Sequence, residues 1–273
     1  MKKWTRWHNS GECAKVLTAP QKRVAGRKRM ILFYFTGTGN SMFVAQKIAT
    51  ETGAKLISIP QVIDEEREYS DDCIGFIYPQ YANSLPKMVR KFILKNKFSA
   101  KYFFAVNLWA FIHLGAIGEI AGILPLDYGA YLKTPNNFTF LLNSPKDPKA
   151  RLNKAERHLA KIVNDIQGRK SKSVKPRKGE GNATKYFGES KFKVTQKCIK
   201  CGTCKDVCPA RNIVFEEDGI VFGRNCETCF ACANLCPQHA IYSKERMLKR
   251  RQYRNPYISV EEIKETNNVK ERN

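Results

Sequence analysis

Cysteine is the residue type whose spacing says most in this chain. Eight of the ten cysteines fall into two copies of one pattern, Cys-x2-Cys-x2-Cys-x3-Cys-Pro. The first copy is Cys198, Cys201, Cys204, Cys208 and Pro209; the second is Cys226, Cys229, Cys232, Cys236 and Pro237. Each iron of a cubane [4Fe–4S] centre takes one soft thiolate, so four thiolates must converge on one cube. Three cysteines two residues apart wrap a cube. The fourth, ahead of proline, sits on the following helix and reaches the other cube. The expected ligand sets are therefore Cys198, Cys201, Cys204 and Cys236 for one cluster, and Cys226, Cys229, Cys232 and Cys208 for the second. Zinc sites read instead as separated Cys-x2-Cys pairs. A disulfide framework is expected behind a secretory signal, which residues 1–29 do not resemble.

The repeat runs past the ligands. Cys208-Pro-Ala-Arg-Asn-Ile213 matches Cys236-Pro-Gln-His-Ala-Ile241, so an apolar residue closes each half. Between the halves, Val214–Glu217, Asp218-Gly219 and Ile220–Phe222 read as a hairpin. His239 falls in a variable slot of the repeat and reads as a surface residue, because the ligand quota is already filled.

A second chemical pattern lies near the other end. The apolar run Met30–Phe35 leads into Thr36-Gly-Thr-Gly-Asn-Ser41 and then an amphipathic stretch, Met42–Thr52. A strand, a Gly/Thr/Ser loop and a helix together cradle a phosphate: loop N–H groups and hydroxyls face the anion, and the helix N-terminus adds a favourable dipole. Gly37 and Gly39 allow the tight turn and a close backbone approach. Position 42 is Met where a dinucleotide fingerprint has glycine, and no acid ends the second strand. No Gly-Lys-Ser/Thr follows either, which sets aside a triphosphate loop. A short loop rich in Thr, Ser and Asn suits the phosphate of FMN, with Thr36, Gly37, Thr38, Gly39, Asn40 and Ser41 as contacts.

These residues need elements to hold them. Strands are expected at Met30–Phe35, Lys55–Ile59, Cys73–Tyr78, Tyr102–Leu108 and Gly129–Lys133. Helices are expected at Met42–Thr52, Pro86–Asn96, Ala116–Leu124 and Pro148–Gln167, with a polar, acidic loop over Asp64–Asp72. Alternation of this kind predicts a five-stranded parallel sheet covered on both faces, with right-handed crossovers. Cys73 reads as a small buried core residue. The apolar stretch Phe103–Leu126 is interrupted by Asn107, His113 and Glu119, and reads as strand, loop and helix, with no membrane span.

Phe-Thr-Gly-Thr-Gly-Asn-Ser after an apolar strand resembles the FMN phosphate loop of flavodoxins. Joined to the cysteine repeat, it resembles the flavodoxin–ferredoxin fusion proteins of anaerobic microbes, the EFR-family ferredoxins, over roughly residues 30–245. The resemblance implies an α/β flavodoxin-like doubly wound sheet followed by a small α+β two-cluster ferredoxin domain. A doubly wound sheet binds its ligand at the carboxyl ends of its strands, beside the switch point. Tyr78, Pro79 and Tyr81 follow the third strand, and Asn107 and Trp109 close the fourth, so these are the expected flavin-ring contacts. Flavodoxin-like proteins commonly carry a glycine-rich loop after the fourth strand; this chain has Asn107-Leu-Trp-Ala-Phe-Ile-His-Leu-Gly115. His113 reads as a loop-surface residue.

The net charge is +23, which raises a nucleic-acid reading. Residues 30–145 carry ten basic and nine acidic side chains, and residues 192–243 carry six and five. The excess is peripheral: nine against one in 1–29, fourteen against five in 146–191, and nine against five in 244–273. Such a distribution suits steering of acidic redox partner proteins better than nucleic-acid or membrane binding. The expected division is an extension at 1–29, a flavodoxin-like domain at 30–167, a basic linker at 168–190, a ferredoxin domain at 191–245 and a basic tail at 246–273. Residues 1–29 lack period and apolar content, and are expected to lie upstream of a biological start at Met30, with Cys13 of no consequence. In the tail, Val260–Ile263 reads as a short docked helix.

The expected activity is electron transfer in a reducing, anaerobic cytoplasm, with the clusters and FMN linking one-electron to two-electron chemistry. Two readings compete: a reductase in which the clusters feed a flavin that reduces a small substrate, and a redox-sensing or nucleic-acid-binding iron–sulfur protein.

Overall fold

The run Met30–Tyr34 is buried at all five positions and forms β1, the second strand of a five-stranded parallel sheet. The computed structural model describes residues 29–82, 84–111, 115–177, 192–217 and 219–267. Residues 1–28 of the N-terminal extension, His113, linker residues 178–190 and Asp218 lie outside them.

The elements that follow are α1 (Asn40–Thr52), β2 (Lys55–Ser58), α2 (Ile59–Val62), β3 (Glu68–Asp71), β4 (Cys73–Pro79), α3 (Lys87–Lys95) and β5 (Lys97–Ala100). Next come β6 (Phe103–Trp109), α4 (Ala116–Ala121), β7 (Tyr128–Lys133) and α5 (Pro148–Gln167). The sheet order is β2-β1-β4-β6-β7, parallel throughout. This is the flavodoxin-like doubly wound arrangement, with its switch point between β1 and β4. Burial on both faces explains why β1, β4 and β6 are near-continuous apolar runs, not alternating ones. Each fully buried Phe, Leu or Ile contributes about 1.5–3 kcal/mol.

The Asp64–Asp72 expectation needs correction. Residues 68–71 form β3, which pairs in parallel with β5 as a separate two-stranded sheet. Only Tyr69 of β3 is buried, so the strand reads as polar; its ring stacks on Phe98 at 5.6 Å and meets Phe33 edge-on at 4.8 Å.

The cysteine-rich part is built from short pieces: β8 (Lys193–Val194), α6 (Thr203–Asp206), β9 (Ile213–Glu216), β10 (Gly219–Phe222), α7 (Ala231–Leu235) and β11 (Ile241–Tyr242). β9 and β10 form the expected antiparallel hairpin, and β11 pairs with β8. The last described element is α8 (Val260–Asn267), started by a capping box in which Ser259 and Glu262 exchange hydrogen bonds.

Residues 168–177 are mostly exposed, as a linker would be, yet they are held, with Val174 packed against the core. The Lys172 N–H donates to the Asp127 carbonyl at 2.8 Å and the Arg177 N–H to that of Gly118 at 2.8 Å. The described half of the basic segment is therefore laid along β7 and α4 and does not hang in solvent. Among the described residues no helix is long and apolar enough to cross a membrane.

Candidate functional site

The carboxyl ends of β1, β4, β6 and β7 open into one cleft of about 410 Å³. Its lining takes Thr36, Gly37 and Thr38 from the loop after β1, Asn40 and Ser41 from the start of α1, Pro79 from the end of β4 and Tyr81 from the turn that follows. Trp109 adds the end of β6, and Thr134–Asn137 supply a further wall after β7. That last wall was not anticipated. Its only sequence signal is Thr-Pro-Asn-Asn directly after the fifth strand, where a doubly wound sheet collects ligand contacts.

The phosphate loop is pre-shaped. The Thr36 hydroxyl accepts from the Gly39 N–H at 3.0 Å, and Gly39 takes a left-handed φ of 96° ahead of α1. The first turn of α1 contains no acid, so its N–H groups and dipole favour an anion. Ser41 Oγ, Tyr81 OH and Asn136 Nδ2 line the cleft, buried and without a hydrogen-bond partner among the described residues. Buried orphan polar groups are costly unless a ligand or water satisfies them. A loop of amides and hydroxyls with three such groups fits a phosphate-bearing cofactor.

Not every expected contact faces the cleft. The Asn40 side chain is committed elsewhere: Nδ2 donates to the Pro135 carbonyl at 3.0 Å, and Oδ1 accepts from Tyr253 OH at 2.6 Å and Asn255 Nδ2 at 3.1 Å. Gly39 backs onto Asn255 and Ile258 of the tail and is not part of the lining. Tyr78 is fully buried, with its hydroxyl donating to the Ala116 carbonyl at 3.3 Å, so it packs the sheet. Asn107 is fully buried in β6, with both amide atoms unpartnered among the described residues, and lies behind the lining. Trp109 carries the Lys133 ammonium 4.9 Å from its ring centroid, a cation–π contact at the rim of the cleft.

The cysteines gather into two quartets. Cys198, Cys201, Cys204 and Cys236 line a single recess. Burial pushes the Cys204 thiol up to about 11, and neighbouring Cys236 and Cys198 add to this. Burial also raises the Cys229 and Cys232 thiols well above their ordinary value, with Cys208 and Cys226 beside both. Cys208 thus sits with the second motif and Cys236 with the first. Four soft donors per group fit an iron–sulfur cube.

The second quartet abuts the cleft. A Cβ placed on Gly37 would stand 2.8 Å from the Cys229 carbonyl oxygen, 3.1 Å from its Cβ and 3.4 Å from Tyr81 OH. Asn137 Nδ2 donates to the same Cys229 carbonyl at 3.3 Å. Gly37, Tyr81 and Asn137 therefore line the cleft on one side and meet the quartet on the other. Glu119 is buried below this turn, its carboxylate accepting from Ser84 Oγ at 3.2 Å and the Leu85 N–H at 3.4 Å.

Residues 190–237 match the family model described as "4Fe-4S dicluster domain". The chain carries a 4Fe–4S ferredoxin domain. Solved structures similar to the chain include the following two. "Structure of a flavodoxin from the domain Archaea" has 13% identity, covers 51% of this chain and 99% of its own, and has a TM-score of 0.31. The Trp repressor binding protein from Bacillus subtilis has 12% identity, covers 53% and 100%, and has a TM-score of 0.34. No curated protein matches the chain at a significant level. In the ferredoxin domain Arg211 is paired with Asp64 of the sheet domain, and this hydrogen bond holds the Asp64 carboxyl below its usual range.

Proposed function

We propose that this chain is an electron carrier of the flavodoxin–ferredoxin fusion kind, an EFR-family ferredoxin, with two [4Fe–4S] clusters and one FMN. The observation that carries this reading is the single layer formed by Gly37, Tyr81 and Asn137, which separates the Cys226/Cys229/Cys232/Cys208 quartet from the cleft. The clusters pass single electrons, and FMN, when bound, exchanges one or two. The Thr36–Ser41 loop holds the phosphate, while Tyr81 and Trp109 flank the ring system. The sheet domain at 30–167 and the ferredoxin domain at 191–245 keep the two kinds of centre adjacent. Free thiolates in this number suit a reducing, anaerobic cytoplasm, and the basic periphery suits an acidic redox protein as partner. A substrate-specific reductase has less support, because buried Glu119 does not line the cleft and its carboxylate is used to anchor the turn at Ser84 and Leu85.

The test is cofactor content. Anaerobic purification, reconstitution with iron and sulfide, and addition of FMN are expected to yield about eight iron, about eight sulfide and about one acid-released flavin per chain. About four iron would remove the second cluster, and full iron with no flavin would remove the FMN half of the reading.

A further inference from the structure

The two quartets differ in their access to solvent. Each holds two buried cysteines, Cys204 and Cys236 in the first and Cys229 and Cys232 in the second; the remaining members of the second, Cys208 and Cys226, are half-buried, and Cys229 backs onto Gly37 of the cleft wall. In the first quartet Cys201 is exposed, and Ile199, which lines the same recess, is 60% exposed. An electron that enters or leaves the molecule through protein contact therefore meets the first quartet. The strip that carries it, residues 192–205, contains Lys193, Lys197, Lys200 and Lys205 and no acid. All four lysines are exposed, and no ion pair among the described residues engages them. The acid that follows, Asp206, is already bridged by Lys264 at 3.6 Å.

We infer that residues 193–205 are the docking surface for an acidic one-electron carrier protein, with Ile199 as its apolar centre and the four lysines as its rim. This rests on the two-cluster reading above. It narrows the partner contact from the basic periphery as a whole to the rim of the exposed quartet. One electron crosses between the carrier's own centre and that quartet's cluster, and no bond forms or breaks. Rim charges of this kind set association rate and salt dependence, while the apolar centre excludes water.

The test uses the reconstituted full chain and a plant-type [2Fe–2S] ferredoxin as acidic probe, with binding read by calorimetry at low and high salt. Wild type is expected to bind at low salt and to lose about tenfold or more in affinity on raising salt across the Debye range. Lys197→Glu/Lys200→Glu/Lys205→Glu is expected to lose about tenfold at low salt. Lys149→Glu/Lys154→Glu/Lys161→Glu on exposed positions of α5 carries the same charge change and is expected to keep wild-type affinity. Reduction by dithionite is expected to be equal in all three proteins. Equal losses in the two variants, or no binding at low salt, would overturn the assignment. Missing iron and sulfide in wild type would fail the two-cluster reading instead, and the binding comparison would still decide the face.

Discussion

Gly37→Ala adds one methyl group, and the structure has no room for it: the nearest atom is a backbone carbonyl oxygen of Cys229, 2.8 Å away. Backbone cannot rotate aside as a long side chain can, so the ferredoxin domain must shift. The expected cost is about 1–3 kcal/mol, read as a lower unfolding midpoint together with weaker FMN binding by fluorescence titration. An unchanged midpoint and affinity would show that the two parts do not touch there. Glu119 offers a pH test. Burial holds its carboxyl above the ordinary 4.5, only partly offset by its hydrogen bonds from Ser84 and Leu85 and by Arg177. The neutral acid is thus the form the fold favours. Its contribution is intact below the unfolded pKa and is lost as pH rises through the raised folded value. Glu119→Gln keeps an acceptor for the Leu85 N–H and cannot ionise. Relative to wild type it should therefore gain stability as pH climbs from acid to neutral, measured as urea midpoints; parallel pH curves would contradict this.

At the scale of elements, the C-terminal segment acts as a strap. Arg250 donates to the Thr139 and Phe140 carbonyls at 2.9 and 2.8 Å, Gln252 to those of Ala233 and Cys236 at 2.8 Å each, and the Asn255 N–H to that of Thr38 at 2.9 Å. Helix α8 then ties both parts: Thr266 shares a 2.5 Å hydrogen bond with Tyr34 of β1, and Asn267 donates to the Val207 carbonyl at 2.8 Å. Each such bond contributes about 0.5–1.5 kcal/mol net, and the two donors on Asn40 Oδ1 fix the loop proposed to hold the phosphate. Deleting residues 250–273 is expected to leave the five-stranded sheet folded, as judged by circular dichroism. It should weaken FMN binding by about tenfold or more, the effect of roughly two lost bonds. A deletion variant with wild-type flavin affinity would assign the strap no part in shaping the loop.

For the whole molecule, the two domains share one core. Val207, Cys229, Ala231 and Leu235 of the ferredoxin domain pack in the same buried cluster as the sheet, while the second cluster, around Phe192, Phe230 and Ile213, is small and rich in cysteine. Metal binding in so small a core is folding energy. Removing iron by anaerobic chelation is therefore expected to open residues 192–249 to protease while the sheet domain stays resistant. Because Cys229 backs Gly37 and Asn137, iron removal should also lower FMN affinity. Flavin binding indifferent to iron would argue that the cleft wall stands without the ferredoxin domain.

Some of this was legible from residues alone, because the physics is local. The cysteine spacing points to a 4Fe–4S domain, and Met30–Phe35 before Thr36–Ser41 reads as a strand feeding a loop and helix, each within a dozen residues. Helix α5 begins at Pro148 under the Asp147 cap, whose side chain accepts from the Ala150 N–H at 2.9 Å, and its bounds were readable to the residue. What escaped was set by partners distant in sequence. β3 is a strand because β5 pairs with it and Tyr69 finds Phe33, Phe92 and Phe98, not because Glu-Tyr-Ser-Asp favours extension. Asn40 and Gly39 sit in a phosphate motif, yet their outer sides are taken by Tyr253, Asn255 and Ile258, more than two hundred residues on. The sequence by itself determined which cofactor chemistry each segment can hold, since ligand type and spacing are written locally. Only the tertiary structure decided which quartet faces the cleft and which faces solvent, because that depends on how two separate segments pack into one core.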